Sequence, residues 1–178
     1  YKLVIHMVEV LGFRFVEEFI WNKTNPFPTG NKKRLKDGWE RIYHFTKSKD
    51  YKFKPNDVLI KSESKWLESE KRRANKGEHN VNNGSGMNMS KRISSDMVRP
   101  SNVLTGSSSN ANIGHPAVFP DYLPEFFIKV ATDRGDIVGD MFMGSGTTGV
   151  ACNKLNRDFV GIELDNKYFE IAKERMNE

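Results

Sequence analysis

The run Gly144-Ser145-Gly146-Thr147-Thr148 has the residue types and spacing to hold a nucleoside-containing cofactor. The apolar run before it ends in Asp140, and the apolar run after the next helical segment ends in Glu163. Glycine permits tight turns and close approach of the backbone to a ligand, and carboxylates accept hydrogen bonds from hydroxyl and ammonium groups. The segment therefore predicts a strand, a glycine turn, a helix and a second strand around a ligand that contains adenosine.

Two cofactor classes fit this turn. Gly144 to Gly149 satisfy GxGxxG, and Glu163 follows nineteen residues after Gly144, as in nicotinamide-dinucleotide sites. In those sites, however, the strand usually runs straight into the first glycine, whereas here Asp140 precedes Gly144 by four residues. A carboxylate at that point suits the ammonium of S-adenosylmethionine better than a pyrophosphate, and Glu163 is placed to accept both ribose hydroxyls. The pattern favours S-adenosylmethionine, with a nicotinamide-binding fragment as the alternative.

The rest of the chain must supply the elements that position this turn. Apolar periodicity predicts a helix at 2–11, and aromatic or alternating runs predict antiparallel strands at 13–21 and 39–47. Residues 22–31 read as a loop, because two prolines, glycine and asparagine interrupt the pattern. Between residues 48 and 114 the periodicity fades, and helices are predicted from 119 to 131 and from 166 to 176.

Charge is distributed unevenly along the chain. Residues 22–101 carry 19 Lys and Arg against 9 Asp and Glu, whereas the remainder is net acidic. A cluster of this sign favours contact with a polyanion such as nucleic acid, although a solvated loop would look the same. The single cysteine excludes an internal disulfide, and no apolar run reaches the ~20 residues that span a membrane. The start lacks a signal peptide and an initiator methionine, so we expect a fragment of a longer protein.

Several blocks resemble the amino-DNA methyltransferases, which methylate N4 of cytosine or N6 of adenine. Residues 140–149 with Gly161-Ile162-Glu163 resemble the cofactor motif, although Met141 stands where the family usually has proline. Residues 115–120 and 123–128 are similar to the helix motif that closes over the methionine end of the cofactor. Residues 12–50 resemble the region that lines the target-base pocket. The order of these blocks matches the permuted, or β, group.

The resemblance implies an α/β fold, an incomplete Rossmann-like methyltransferase fold with a loop-rich target-recognition insertion. Its parts would be 1–50 with the target-base pocket, 51–113 for target recognition, and 114–178 with the cofactor site. The cofactor-binding residues it implies are Phe119, Pro120, Leu123, Asp140, Phe142, Gly144, Ser145, Gly146, Thr147, Thr148 and Glu163. The basic residues predicted to contact DNA are Lys32, Lys33, Arg34, Lys36, Lys71, Arg72, Arg73, Lys91 and Arg92.

The catalytic motif of that family is Asp, Asn or Ser followed by Pro-Pro and an aromatic residue, and this sequence has no Pro-Pro pair. Asn25-Pro26-Phe27-Pro28 exchanges the second proline and the aromatic, and it follows the pocket strand. We therefore expect the motif upstream of Tyr1, and no catalytic residue or metal site within 1–178. An alternative is a non-catalytic DNA-binding subunit that needs a partner chain.

The resemblance also implies a target, partners and a location. The form His115-Pro116-Ala117-Val118-Phe119-Pro120 favours cytosine N4 over adenine N6 as the methylated atom. The implied substrate is double-stranded DNA, and the implied partners are a cognate restriction endonuclease or a second chain that supplies the missing half. The implied location is the cytoplasm of a bacterial or archaeal cell, with a phage as another possible source.

Overall fold

The computed structural model describes residues 1–26, 30, 32–62, 72, 97–108 and 119–177 of the 178-residue chain. The strands are β1 (Arg14–Lys23), β2 (Trp39–Thr46), β3 (Ile60–Lys61), β4 (Met97–Val98), β5 (Val103–Gly106), β6 (Ile137–Asp140) and β7 (Asp158–Gly161). The α-helices are α1 (Lys2–Ile5), α2 (Tyr122–Ala131), α3 (Thr147–Leu155) and α4 (Asn166–Asn177). A π-helical turn, His6–Val10, continues α1, and a 3-10 turn covers Pro55–Val58.

A three-stranded sheet has the order β2-β1-β5. β1 and β2 are antiparallel, as predicted, and β5 pairs with β1 in parallel. β1 extends to Lys23, two residues into the predicted loop, because its partners satisfy the backbone there. The amide of Lys23 donates to the carbonyl of Gly38 at 2.8 Å, and the amide of Thr24 donates to the carbonyl of Gly106 at 3.1 Å. Pairing with the neighbouring strands therefore overrides the local loop signal.

A second, two-stranded sheet joins β6 and β7 in parallel. Val138 and Phe159 lie on the face that packs against Ile128 of α2 and against Ala151 and Cys152 of α3. Parallel strands need a crossover connection, and α3 provides it. The predicted succession of strand, glycine turn, helix, strand and helix is confirmed, with α3 beginning at Thr147 inside the predicted glycine run.

Helix α2 connects the cores of the two sheets. Its first half places Leu123 against Trp21 of β1 and Leu104 of β5, and its second half places Ile128 against α3. The rings of Phe126 and Phe127 lie edge-on to Phe19, with centroids 6.3 and 5.1 Å apart from it. The helix therefore fixes the glycine-turn unit relative to the β1–β5 sheet. None of the described helices is both long and apolar enough to span a membrane.

The opposite face of the β6–β7 sheet is apolar and open. Ile137, Val160 and Ile162 are 70%, 57% and 50% exposed, and their side chains alternate with the residues that face α2 and α3. Parallel sheets in α/β proteins are normally covered on both faces. This exposed face is therefore a surface that further protein structure could cover.

Candidate functional site at the glycine turn

The turn between β6 and α3 has a backbone that favours glycine. Gly144 has φ 54° and Gly146 has φ 81°, and left-handed backbone costs other residues about 1–2 kcal/mol. A Cβ on Gly146 would lie 2.8 Å from the Cβ of Ala172, so α4 packs directly against the turn. The amide of Gly146 donates to the carbonyl of Met143 at 2.9 Å, which closes the turn. Both glycines are thus required by local conformation.

The carboxylate of Asp140 connects the end of β6 to the first turn of α3. One oxygen accepts the backbone N–H of Phe142 at 3.0 Å, and the other accepts the hydroxyl of Thr148 at 2.6 Å. A carboxylate offers about four acceptor positions, so two remain after these bonds. Asp140 therefore shapes the turn, and its contact with the ammonium group of a cofactor stays a prediction.

Glu163 makes the matching contact from the end of β7. One oxygen accepts the backbone N–H of Gly144 at 2.9 Å, and the other accepts the N–H of Asp165 at 2.9 Å. The half-buried carboxylate thereby holds the turn against the neighbouring strand. Its remaining acceptor positions suit ribose hydroxyls, and that role stays a prediction.

The turn has a buried side and an open side. Ser145 and Thr147 are only 4% and 3% exposed, whereas Phe142 is 90% exposed. The buried hydroxyls face Arg175 of α4, whose Nη1 lies 3.2 Å from that of Ser145 and 3.4 Å from that of Thr147. The cofactor contacts of Ser145 and Thr147 stay a prediction, and their backbone atoms are the better candidates because both hydroxyls are buried beside Arg175.

Arg175 was missed by the sequence argument. The amphipathic pattern at 166–176 marks Ala172 and Met176 as inward-facing, and a charged residue in such a helix is normally assigned to solvent. Arg175 follows Ala172 by three residues, so the two side chains lie on one face of the helix. That spacing from an inward-facing residue is the feature of the sequence that could have identified Arg175.

The open side of the turn can bind a planar, polar ligand. The first amide groups of a helix have no partner within the helix, so the start of α3 presents N–H donors and a partial positive charge. The exposed ring of Phe142 offers a flat apolar surface beside the turn. Acceptors at Asp140 and Glu163, donors at the start of α3 and the ring of Phe142 therefore all belong to the turn and the strand ends beside it.

The predicted residues of α2 form a separate group. Leu123 is 6% exposed and packs with Trp21 and Leu104, and Phe119 packs against the same cluster. Pro120 lies two residues before the helix, and its carbonyl accepts the amide of Leu123 at 3.1 Å. The structure thus gives Leu123 and Phe119 a packing role at the β1–β5 sheet, and their contact with a cofactor stays a prediction.

Polar contacts join the carboxyl ends of β1 and β5 to α2. The indole N–H of Trp21 donates to the hydroxyl of Tyr122 at 2.7 Å. Gly106 allows this approach, because a Cβ there would lie 2.3 Å from the same hydroxyl oxygen. The side-chain oxygen of Asn25 accepts the amide of Ser108 at 2.7 Å and its hydroxyl at 3.0 Å. Asn25 therefore joins the segment after β1 to the segment after β5, and the interpretation of Asn25-Pro26-Phe27-Pro28 as non-catalytic stays a prediction.

Four of the basic residues predicted to contact DNA lie on the segment between β1 and β2. Lys32, Lys33, Arg34 and Lys36 are exposed, and Arg34 pairs with Asp37 at 3.0 Å. Arg72 is also exposed. The other four, Lys71, Arg73, Lys91 and Arg92, lie outside the described residues.

Cys152 lies in the core below the turn. It is fully buried, and burial raises the pKa of its thiol to about 11, so the thiol is protonated at neutral pH. Cys152 is therefore a small residue of the core. Within the described ranges, no three His, Cys, Asp or Glu side chains are grouped so as to hold a metal ion.

The sequence and structure were compared with known proteins. Residues 1–174 match the sequence profile of a family described as DNA methylase. The chain belongs to this DNA methylase family. It is 29% identical over 190 residues to the type II methyltransferase M.PvuII of Proteus hauseri, a match that covers 94% of the chain and 56% of the relative. The chain thus spans about half the length of the curated relatives it matches.

Solved structures agree with the assignment of this DNA methylase-family chain. A structure described as PvuII DNA methyltransferase (cytosine-N4-specific) is 25% identical with a TM-score of 0.65, covering 99% of this chain and 62% of that one. A complex of M1.HpyAVI with S-adenosylmethionine is 28% identical with a TM-score of 0.62, covering 99% and 69%. The resemblance to amino-DNA methyltransferases is confirmed at the level of the family.

Proposed function

We propose that this DNA methylase-family chain forms the S-adenosylmethionine-binding and target-recognition part of a permuted, β-group amino-DNA methyltransferase. The observation that carries the proposal is the bond between the Glu163 carboxylate and the Gly144 amide at the carboxyl ends of β6 and β7. Open α/β sheets bind ligands at that edge of the sheet. The order of the sequence blocks supports the β group, and the likeness to M1.HpyAVI bound to S-adenosylmethionine supports the cofactor.

The residues at the turn fit this cofactor. S-adenosylmethionine supplies an activated methyl group on a sulfonium centre. Glu163 and Asp140 have acceptor positions for ribose hydroxyls and an ammonium group, and Phe142 has an exposed ring for an adenine face. The first amides of α3 can donate to polar cofactor oxygens. The task of this chain is then to fix the orientation of the cofactor, which is the main contribution to transfer between two bound reactants.

Methylation of a base amine also needs groups that receive the base. A stacked base is inaccessible, so such enzymes rotate the target nucleotide out of the duplex. The family's Asp/Asn/Ser-Pro-Pro-aromatic motif does not occur among the 178 residues. We place it in sequence outside 1–178, and the exposed face of β6 and β7 at Ile137, Val160 and Ile162 supports an additional covering segment.

The proposed substrate is double-stranded DNA, with N4 of cytosine as the methylated atom. The sequence 115–120 supports cytosine, and so does the likeness to the cytosine-N4-specific PvuII enzyme. The exposed Lys32 and Lys36 are suited to phosphate contacts, which position a protein on DNA without reading its sequence. A cognate restriction endonuclease and a cytoplasmic location belong to the same proposal. A separately encoded second chain remains the alternative source of the catalytic motif.

The proposal is tested by the product. The full-length protein is incubated with duplex DNA and S-adenosylmethionine carrying a labelled methyl group, and the digested nucleosides are separated by mass spectrometry. N4-methylcytosine is expected. N6-methyladenine would contradict the choice of base, and the absence of any methylated base would contradict the function. Residues 1–178 alone are expected to yield no product, so methylation by that piece would contradict the location given to the catalytic motif.

A further inference from the structure

Arg175 of α4 is bonded to the inner side of the glycine turn. Its Nη1 donates to the backbone carbonyl of Ser145 at 2.6 Å and lies within 3.4 Å of the hydroxyls of Ser145 and Thr147. Both of those residues are buried, and Arg175 itself is half-buried. One guanidinium nitrogen thus contacts three oxygens: the carbonyl and hydroxyl of Ser145, and the hydroxyl of Thr147, the first residue of α3.

The side chain of Arg175 directs its hydrogen bonds to Ser145 and Thr147. Among the described residues, no carboxylate lies within ion-pairing distance of Arg175. A hydrogen bond from a charged donor is about twice as strong as one between neutral groups. The planar guanidinium also loses less conformational freedom per bond than a lysine ammonium would. The contact is therefore directed at the turn and does not serve a surface ion pair.

The carbonyl of Ser145 is the position at which this contact matters most. It lies between the two left-handed glycines, Gly144 and Gly146, where the direction of each peptide plane is set by bonds to its neighbours. The amide of Gly144 is held by Glu163, and the amide of Gly146 by the carbonyl of Met143. The Ser145 carbonyl and the Gly146 amide belong to one peptide group, so Arg175 and the Met143 carbonyl hold that group at both of its polar ends.

Helix α4 also packs directly against the glycine turn. Ala172, one turn before Arg175, has its Cβ where a Cβ of residue 146 would be only 2.8 Å away. Gly146 therefore lets α4 approach, and Arg175 then reaches the turn. Ala172 and Arg175 thus both bring the last helix into contact with the glycine turn.

We propose that Arg175 is a positioning residue for the cofactor site. By fixing the peptide group between Ser145 and Gly146, it holds the turn that leads into α3 in one conformation, and so it sets cofactor affinity without touching the cofactor. This inference rests on the proposed function, because the ligand of the turn is taken to be S-adenosylmethionine. Lysine at this position would keep the charge, but its side chain is shorter and lacks the planar guanidinium group.

The test measures the S-adenosylmethionine dissociation constant of the full-length protein by calorimetric titration, together with Tm. Arg175→Ala is expected to weaken binding about ten- to hundredfold at a temperature where it is fully folded, and Arg175→Lys is expected to lie between it and the wild type. Lys173→Ala is the matched control, since Lys173 lies on the same helix, pairs with Glu170 on the surface and carries the same charge. It is expected to bind like the wild type.

Chemical rescue separates positioning from a general loss of stability. Added guanidinium ions at low concentration are expected to restore part of the affinity of Arg175→Ala but not to change that of Lys173→Ala, relative to sodium at equal ionic strength. If Arg175→Ala does not fold, Arg175→Lys carries the comparison. Unchanged affinity in folded Arg175 variants, with binding intact in the wild type, would overturn this inference alone. No binding by the wild type would overturn the proposed function and this inference with it.

Discussion

At the scale of single residues, Glu163 is the side chain on which the cofactor assignment depends most. Its carboxylate already bonds Gly144 and Asp165, and its remaining lone pairs are assigned to ribose hydroxyls. Glu163→Ala is expected to weaken S-adenosylmethionine binding at least about tenfold, because the turn loses an anchor and the ligand loses an acceptor. Glu163→Gln is expected to lose less, since one acceptor oxygen remains. Glu174→Ala, at an exposed position of α4, is the control, and equal affinities across the series would contradict the role of Glu163.

The glycine turn permits a second residue-scale prediction with a matched pair. Gly146 and Gly135 have nearly the same φ, 81° and 80°, but a Cβ would meet Ala172 at the first position and nothing within 4 Å at the second. Gly135→Ala is expected to lower the free energy of unfolding by about 1 kcal/mol, the cost of left-handed backbone. Gly146→Ala adds the clash with α4 and is expected to cost about 3 kcal/mol. Urea unfolding of both variants measures the two losses in free energy of unfolding. Equal losses would show that α4 does not pack against Gly146.

Residue types alone predicted part of the candidate site. The rest depends on contacts between residues that are distant in the sequence. Strand-end acids and closely spaced glycines predict a ligand turn, because few other folds need that combination. The inward direction of the Ser145 and Thr147 hydroxyls was not predictable, because it depends on Arg175, some thirty residues away. Arg175 itself was overlooked because charge in an amphipathic helix usually faces solvent.

At the scale of elements, ion pairs join the segment after β2 to the turn that follows α2. Lys52 contacts Asp136 at 2.6 Å and Asp133 at 3.0 Å, and Lys54 contacts Asp133 as well. The ammonium groups of Lys54 and Lys52 lower the pKa of the Asp133 carboxyl from 3.8 to about 2. The backbone amide of Lys54 also donates to the carbonyl of Val130 at 2.6 Å.

This cluster predicts a pH dependence. A carboxyl whose pKa is lower in the folded state stabilises the fold above its unfolded pKa, and that contribution disappears as pH falls through the folded pKa. The contribution of Asp133 is therefore present above about pH 4 and lost towards about pH 2. Asp133→Asn is expected to flatten the fall of stability in that interval, as followed by thermal unfolding at successive pH values. Asp158→Asn, at an exposed strand position, is expected to leave the profile unchanged, and identical profiles for both variants would contradict the account.

The elements themselves were predictable to different degrees. β1 was evident because it is rich in aromatic and β-branched residues, and β2 because polar and apolar residues alternate along it. β5 was not, because it has four residues and only Leu104 of them is buried. Its place beside β1 is fixed by non-local bonds, such as that from the side-chain amide of Asn22 to the Thr105 hydroxyl at 3.3 Å. Local patterns carry no information about such a pairing.

At the scale of the whole molecule, the uncovered face of β6 and β7 predicts how the chain depends on the rest of the protein. If further structure covers this face, Val160→Asp places an unpaired charge in a buried interface and is expected to lower the stability of the full-length protein by about 2 kcal/mol or more. Leu35→Asp, at a residue that is 92% exposed, makes the same chemical change without that cost. The comparison is made by Tm, and similar small shifts in both variants would show that the face is solvated in the full-length protein.

The central claim is that the turn between β6 and α3 binds S-adenosylmethionine, and calorimetric titration tests it most directly. S-adenosylmethionine and NAD are titrated separately into the full-length protein and into Glu163→Ala. The account predicts saturable binding of S-adenosylmethionine, weakened in the variant, with NAD binding far more weakly or not at all. Tighter binding of NAD, or S-adenosylmethionine binding that Glu163→Ala leaves unchanged, would contradict it.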